Sequence, residues 1–210
     1  MPRVLIIGSN RGIGLGLVER HLADGWEVHT TTRDGSPPPG AAAVTPHRLD
    51  VTDRAELTAL IGSLDAPFDR IIHNAGIMRG SRAEIMEVNA EAPIEVVQSL
   101  LDAGLLVDGG VVAIMTSQMG ARRGRTVSLG DYGDSKAALN DEFRRRVDSW
   151  RDTGAIAVVV HPGWVRTDMG GSNASLNVAE SAEGITRVLD GLTQSQHGSF
   201  LTWDGRVHPW

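Results

Sequence analysis

Short apolar runs of strand length alternate along the chain with longer segments whose apolar residues recur at helical spacing. The runs at 111–115 and 156–160 are apolar almost throughout, as expected of strands covered on both faces. This alternation predicts an α/β fold, with a doubly wound parallel sheet that carries helices on both faces. The predicted strands are residues 4–7, 27–32, 70–73, 111–115 and 156–160, and the predicted helices are residues 12–24, 53–64, 84–101, 132–150 and 178–189.

Length and composition predict one domain over residues 1–210. A chain of 210 residues that is 41% hydrophobic can bury one substantial core but not two. The Pro-rich stretch 34–43 is too short to separate domains, and we interpret it as a surface loop after the second strand. The chain has no cysteine, which excludes disulfides, thiolate catalysis and zinc sites with sulfur ligands.

The charge balance argues against polyanionic partners. Twenty basic and 26 acidic residues give a net charge of -6, so we expect neither nucleic-acid binding nor attachment to an anionic membrane. The apolar start is too short for a signal segment, and a cytoplasmic protein is expected. No metal site is expected, because His73 and His161 lie at predicted strand ends without clustered carboxylates.

A glycine-rich turn follows the first predicted strand. Its sequence is Gly8-Ser9-Asn10-Arg11-Gly12-Ile13-Gly14, and a helix begins within it. Such a turn lets the backbone approach a pyrophosphate that faces the helix N-terminus. The spacing G-x-x-x-G-x-G differs from G-x-G-x-x-G, so a purely structural role remains an alternative.

The end of the second strand bears on cofactor choice. An acidic residue there would favour NAD, whereas this chain has Thr30-Thr31-Thr32-Arg33. Arg33 and Arg11 could bind a 2′-phosphate, so NADP is favoured over NAD unless both arginines are merely solvated. Asp50 and Val51 are placed near the adenine, although Asp50 could equally take part in helix capping.

Four polar residues form a candidate catalytic set. Tyr132 is the only tyrosine, and Lys136 lies one helical turn later on the same face. An ammonium beside the phenol would lower the Tyr132 pKa, which suits proton transfer near neutral pH. Ser117 follows a strand end and could bind a carbonyl oxygen, and Asn89 is unfavourable inside a helix unless its amide is used elsewhere.

These motifs together resemble the short-chain dehydrogenase/reductase family over essentially the whole length. The resemblance rests on Gly8-x-x-x-Gly12-x-Gly14, Asn74-Ala75-Gly76, Asn89, Ser117, Tyr132-x-x-x-Lys136 and Pro162-Gly163 with Thr167. It implies a single-domain Rossmann fold with about seven strands. The segments 9–16 and 161–170, with the ending Trp203-Asp204-Gly205…Pro209-Trp210, resemble the branch of Sniffer-type carbonyl reductases and C-factor-like proteins.

The resemblance implies an NADP(H)-dependent oxidoreductase that interconverts a small carbonyl compound and an alcohol. Tyr132 would be the acid/base, Lys136 would hold the nicotinamide ribose, Ser117 would orient the carbonyl, and Asn89 would hold a relay water. The cofactor would also be lined by Asn74, Ala75, Gly76, Pro162, Gly163, Val165 and Thr167.

Two features of the chain depart from the family pattern or vary within it. Ile7 stands where the family often has threonine, so one bond that stabilises the turn is expected to be missing. The stretch before Tyr132 contains Arg122-Arg123-Gly124-Arg125, which would recognise an acidic substrate or form a solvated loop; Arg144-Arg145-Arg146 is interpreted as a solvated face. The lid at 168–177 is short, which predicts an open pocket with Trp164, Met119 and Met169 as candidate apolar walls.

Other functions and the assembly remain open at this point. The main alternative is a cofactor-binding regulatory or signalling protein without turnover, and a third is dehydratase or epimerase chemistry. The resemblance implies a homodimer or homotetramer built by the helices near Asn89 and Tyr132, with Trp150 suited to a buried seam.

Overall fold

The computed structural model describes residues 1–123 and 130–210, and in this part of the chain seven strands form one parallel sheet. The strand order is β3-β2-β1-β4-β5-β6-β7, which confirms the predicted fold class. The strands are β1 (Arg3–Ile7), β2 (Glu27–Thr32), β3 (Thr45–Arg48), β4 (Phe68–His73), β5 (Leu106–Met115), β6 (Ile156–His161) and β7 (Phe200–Thr202).

Helices cover both faces of the sheet. One face packs against α2, α4 and α5, and the other packs against α1 and α6. In the described part of the chain, every helix is too short or too polar to span a lipid bilayer. The helices are α1 (Gly12–Ala23), α2 (Arg54–Ser63), α3 (Arg82–Met86), α4 (Ala92–Asp102), α5 (Gly130–Arg151) and α6 (Val178–Asp190).

The strand order changes direction at the pair β1 and β4. From β1 the chain proceeds outward to β2 and β3, then returns to place β4 on the other side of β1. The loops after β1 and β4 therefore diverge at the carboxyl edge and leave a crevice, which is where such sheets bind ligands.

The helix predicted over residues 84–101 is interrupted. Between α3 and α4 the chain forms a π-helical turn, Glu87–Glu91, in which the Ala92 N–H donates to the Glu87 carbonyl. Pro93 explains the irregularity, because it has no N–H to donate to the carbonyl of Asn89 four residues earlier. Asn89 thus lies in the widened turn.

Trp150 does not lie on a surface that could form a subunit seam. Its side chain is fully buried within the subunit, and its indole N–H donates to Gln98 Oε1 at 2.7 Å. Phe143 packs edge-to-face against it, at 5.9 Å between ring centroids. The expectation of a seam at Trp150 was wrong, because this large apolar ring joins α5 to α4 instead.

A buried arginine in β4 ties the sheet to the helices on one face. Arg70 is 4% exposed, and its guanidinium donates to Asp190 Oδ1 at 2.8 Å and lies over the Trp26 ring. Its Nη1 also lies 2.9 Å from His21 Nε2. Because His21 Nδ1 lies 2.7 Å from the Leu17 carbonyl, a neutral ring can donate there and accept from Arg70.

This network predicts acid sensitivity. Burial lowers the pKa of His21 to about 4, so the folded state binds the proton less readily than the unfolded chain does. The stabilisation is complete above the unfolded pKa near 6.5 and is lost as pH falls towards 4, by about 3 kcal/mol in total. We expect His21→Gln to be less stable at pH 7 but to lose less stability between pH 6.5 and 4, measured by urea unfolding at several pH values.

Because burial also lowers the pKa of His161 to about 4 and that of His73 to about 3, the wild type and the variant must be compared at each pH. Parallel stability profiles for the two proteins would contradict the role given to His21.

Candidate active site

The glycine turn after β1 is held by close backbone packing. Gly8 has φ +81°, and a Cβ there would lie 2.6 Å from the Ala75 Cα. A Cβ on Gly14 would lie 2.1 Å from the Gly8 carbonyl oxygen. Gly12 has φ +57° and faces Thr167, whose Cγ2 would lie 3.2 Å from an added Cβ. These glycines therefore have packing reasons of their own, besides any ligand.

Neighbouring elements fix this turn. The Gly8 N–H donates to Thr31 Oγ1 at 3.2 Å, and Ser9 Oγ donates to the Thr31 carbonyl at 3.1 Å. Asn74 Nδ2 donates to the Gly8 carbonyl at 2.7 Å. Thr31 was not among the predicted site residues. Its hydroxyl provides a side-chain bond to the turn, although Ile7 stands where threonine was expected to supply one. Among residues predicted to hold the cofactor, Asn10 is exposed and Ile13 packs against the core.

The start of α1 is compatible with a pyrophosphate. Arg11 occupies the N-cap position without a side-chain cap, and the first turn contains no acidic residue. The N–H groups in the first turn of α1 therefore face the crevice. The positive end of the helix dipole and the Arg11 side chain lie beside them. This donor set fits the anionic part of a dinucleotide.

The two arginines assigned to the 2′-phosphate lie in different surroundings. The exposed Arg11 donates to Asp168 Oδ2 at 2.6 Å, which connects the glycine turn to the loop after β6. Arg33 is exposed directly after β2. Two hydrogen bonds from Thr52 lower the pKa of Asp50, and the charge of Arg33 adds to this effect. Arg33 therefore lies near Asp50, at the predicted adenosine end.

Asp50 and Val51 connect β3 to α2. Asp50 Oδ1 accepts from the Thr52 N–H and hydroxyl, and the Asp50 N–H donates to Glu56 Oε2 at 2.7 Å. The N-cap itself is Asp53, and Val51 packs against the core. One Asp50 oxygen is thus used in the turn before the helix, and the capping role considered for Asp50 falls to Asp53.

Ser117 and Tyr132 lie together at the carboxyl edge of the sheet. Ser117 follows β5, and its Oγ accepts from the Met119 N–H at 3.1 Å. The hydroxyl groups of Ser117 and Tyr132 share a hydrogen bond. Burial raises the pKa of Tyr132, while the bond to Ser117 acts in the opposite direction. The phenol is therefore in its protonated form at neutral pH.

Lys136 lies buried one turn after Tyr132. Its Nζ donates to the Met115 carbonyl at 3.0 Å and lies 6.0 Å from the Tyr132 ring centroid. Burial lowers the pKa of Lys136 to about 8. Contrary to expectation, the Tyr132 pKa is raised and not lowered in this geometry, because desolvation of the phenol dominates.

Asn89 connects the β4 end to α5. Its Oδ1 accepts from the Ile77 N–H at 2.8 Å, and its Nδ2 donates to the Ile77 carbonyl at 2.7 Å. Nδ2 also lies 3.0 Å from Ser135 Oγ, which donates to the Tyr132 carbonyl. Ser135 was not among the predicted site residues, and its place between Tyr132 and Lys136 in a helix was the available signal.

The loop after β6 forms the opposite wall. The Pro162 carbonyl accepts from Ser181 Oγ at 2.7 Å, which fixes this turn to α6. Gly163 has φ +87°, and a Cβ there would lie 2.4 Å from Leu176 Cδ1. Val165 is buried and pairs with Leu176 in an isolated bridge, while Thr167 contacts the glycine turn. The short lid at 168–177 thus folds back on its own base.

The candidate apolar walls differ in exposure. Trp164 is 52% exposed, its indole N–H bonds to the Gly170 carbonyl, and Met169 is 40% exposed, whereas Met119 is half-buried. An open pocket of about 450 Å³ lies beside Trp164. Its lining residues are Gln118, His161, Gly163, Trp164, Ser175, Leu176, Thr202, Trp203, Arg206, Val207 and His208.

The arginine loop before Tyr132 is described only in part. Arg122 donates to Asp141 Oδ2 on α5 at 2.9 Å, so its charge is paired. Gly124 and Arg125, named with it as a candidate acidic-substrate site, lie outside the described residues. Among residues 1–123 and 130–210, neither His73 nor His161 belongs to a cluster of potential metal ligands.

Comparison with known proteins finds a matching family model and a related sequence. A family model described as short chain dehydrogenase matches residues 2–177. The chain is 36% identical over 157 residues to the C-signal protein of Myxococcus xanthus, which covers 69% of this chain and 93% of that protein.

Two solved structures superpose over the whole chain. The NADPH-bound carbonyl reductase from chicken fatty liver has a TM-score of 0.89 and 30% identity, covering 100% of this chain and 99% of the other. The carbonyl reductase Sniffer of D. melanogaster has a TM-score of 0.85 and 26% identity, covering 100% of both chains.

The glycine turn yields a prediction with a matched control. Gly14→Ala forces a Cβ onto the Gly8 carbonyl and should destabilise the fold by about 3 kcal/mol while weakening dinucleotide binding. Gly62→Ala, in α2 with open space around it, should stabilise the fold by about 0.5–1 kcal/mol and leave binding unchanged. Urea unfolding and fluorescence titration with NADPH measure both effects; equal behaviour of the two variants would disprove the packing argument.

Proposed function

The chain belongs to the short-chain dehydrogenase family, in the Sniffer and C-factor type predicted from its motifs, and we propose that it is an NADP(H)-dependent reductase of small aldehydes or ketones. The observation that carries the proposal is the hydrogen bond between the Ser117 and Tyr132 hydroxyls beside buried Lys136. Two hydroxyls that meet at the carboxyl edge of the sheet can bind one carbonyl oxygen together.

Tyr132 donates the proton in this proposal. Burial keeps its pKa raised, so the phenol enters the reaction protonated and can transfer its proton to the developing alkoxide. Ser117 binds the same oxygen and fixes its position relative to the phenol. When bound, NADPH supplies the hydride that reduces the carbonyl carbon.

Lys136 acts on the phenolate that remains. Below pH about 8 its ammonium is charged, and it lies one helical turn from Tyr132. A positive charge at this distance stabilises the negative oxygen that forms as Tyr132 loses its proton. The hydrogen bond from Lys136 Nζ to the Met115 carbonyl fixes the position of the ammonium. Asn89 fixes the first turn of α5 through Ser135 and thereby the position of Tyr132.

The preference for NADP is part of the proposal. Arg33 is exposed at the end of β2, where an acidic residue would favour NAD. A guanidinium suits a 2′-phosphate because it can form two parallel charge-assisted hydrogen bonds. The likeness to an NADPH-bound carbonyl reductase supports the same cofactor.

A second candidate function is a cofactor-binding regulator without turnover, which the likeness to the C-signal protein favours. Against it, the chain retains Asn89, Ser117, Tyr132 and Lys136, and a protein that only binds the cofactor does not need a positioned phenol. Tight NADPH binding without oxidation of NADPH across a panel of aldehydes, ketones and diketones would favour the regulator.

Tyr132→Phe tests the catalytic assignment. Removal of the proton donor should lower kcat by about 10²–10⁴-fold, while NADPH affinity stays nearly unchanged. Arg146→Ala, on the exposed face of the same helix, is the control and should retain full activity. The measurement is NADPH oxidation at 340 nm; a Phe variant as active as the control would refute the role of Tyr132.

Arg33→Ala tests cofactor choice. Loss of a charge-assisted bond should raise the KM for NADPH by about ten- to a hundredfold and leave that for NADH within about twofold. Arg187→Ala removes an equally exposed arginine from α6 and should change neither value. Equal changes for NADPH and NADH in Arg33→Ala would show that Arg33 does not contact the 2′-phosphate.

A further inference from the structure

Resting on the proposed reductase function, we infer that Trp210 is a positioning residue that holds the Ser117 segment, residues 117–123, in place for proton transfer. Trp210 does not touch the reacting groups. Its carbonyl oxygen accepts the Arg123 N–H at 2.9 Å, at the far end of the segment that starts with Ser117.

The Trp210 ring is fixed by a cluster of side chains. It stacks on Phe143 of α5 at 6.1 Å and lies 5.5 Å from the Phe200 ring of β7. The Arg144 guanidinium lies over the Trp210 ring, at 5.3 Å from the ring centroid. An aromatic ring held from a helix and a strand at once has little freedom to move.

The backbone before Trp210 is also fixed to the sheet. The Thr202 N–H donates to the Arg206 carbonyl at 2.9 Å, and the His208 N–H donates to the Phe200 carbonyl at 2.7 Å. Leu201 and Val207 form an antiparallel bridge. Residues 206–208 therefore run antiparallel to β7, and these bonds fix the backbone that leads to Trp210.

The Ser117 segment is short and internally bonded. The Gly120 N–H donates to the Ser117 carbonyl at 2.8 Å, and the Ala121 N–H donates to the Gln118 carbonyl at 3.1 Å. Gly120 packs directly on Lys136, since a Cβ there would lie 2.7 Å from the Lys136 carbonyl carbon. A shift at Arg123 is therefore transmitted through one helical turn to Ser117 and to the backbone of Lys136.

The position of the Ser117 segment affects catalysis through Tyr132. The Ser117 hydroxyl bond counteracts the effect of burial on the Tyr132 pKa. If the segment loosens, this bond weakens, and the Tyr132 pKa rises further. Proton transfer then slows, while the glycine turn that receives the cofactor, on the other side of β4, keeps its contacts.

The test uses Trp210→Ala with two companion variants. Trp210→Phe keeps an aromatic ring, and Arg146→Ala, on the exposed face of α5, is the control; every variant keeps the backbone carbonyl of residue 210. We expect Trp210→Ala to lower kcat about tenfold and to leave the KM for NADPH within about twofold. Trp210→Phe should recover most of the activity, and Arg146→Ala should match the wild type.

Hydrogen exchange supplies a measurement that needs no turnover. The Met119, Gly120 and Ala121 amides should exchange faster in Trp210→Ala, whereas the amides of β1 should not change. Unchanged exchange in the segment, or a lower melting temperature with kcat unaltered, would overturn the inference. If the wild type oxidises no NADPH, the reductase proposal fails by itself, and the exchange rates still decide whether Trp210 holds the segment.

Discussion

The buried ammonium of Lys136 is the constraint on which the catalytic half of the structure depends. A charge of this kind is costly to desolvate, and burial lowers its pKa to about 8. The chain accommodates it by placing the Met115 carbonyl within 3.0 Å and by keeping two glycines against it. A Cβ on Gly76 would lie 3.6 Å from Nζ, and a Cβ on Gly120 would collide with the Lys136 backbone. The collision at Gly120 involves the Lys136 backbone, so the main chain of α5 at Lys136 requires glycine there.

Asn89 fixes the element that carries this charge. Through its amide it joins Ile77, after β4, to Ser135 in the first turns of α5, so that two elements distant in sequence move together. The π-helical turn allows this geometry, since an ordinary helix would direct the Asn89 side chain differently. Pro93 is the local cause, and so one residue without an N–H influences the position of Tyr132 through two hydrogen bonds, from Asn89 to Ser135 and from Ser135 to the Tyr132 carbonyl.

Much of the fold followed from local patterns, because buried strands and amphipathic helices leave clear periodicities. The strand at 27–32 and the start of the helix at 178 were predicted with the bounds that the structure has. The edge strand β3 and the three-residue β7 gave no apolar run, since β3 is largely exposed and polar and β7 is too short. The π-helical turn could have been predicted from Pro93 inside the expected helix.

The candidate site was predictable in its members but not in its electrostatics. Spacing placed Tyr132 and Lys136 on one helical face, but the pKa of each depends on burial by residues far away in sequence. For the same reason, the pairing of Arg11 with Asp168 and the burial of Trp150 between two helices could not be inferred. Such properties arise from tertiary packing, which a single sequence specifies only indirectly.

The two faces of the sheet support different parts of the candidate site. The cofactor side depends on α1 and α6, which approach closely because Gly16 lets Val178 and Ala182 pack against the α1 backbone. The catalytic side depends on α4 and α5, which Trp150 joins through Gln98. Since the two helical layers are separated by the sheet, a packing change on one face reaches the other mainly through the strand ends. In the proposed reductase, the loops after β1, β4 and β5 are therefore where cofactor binding and proton transfer would become coupled.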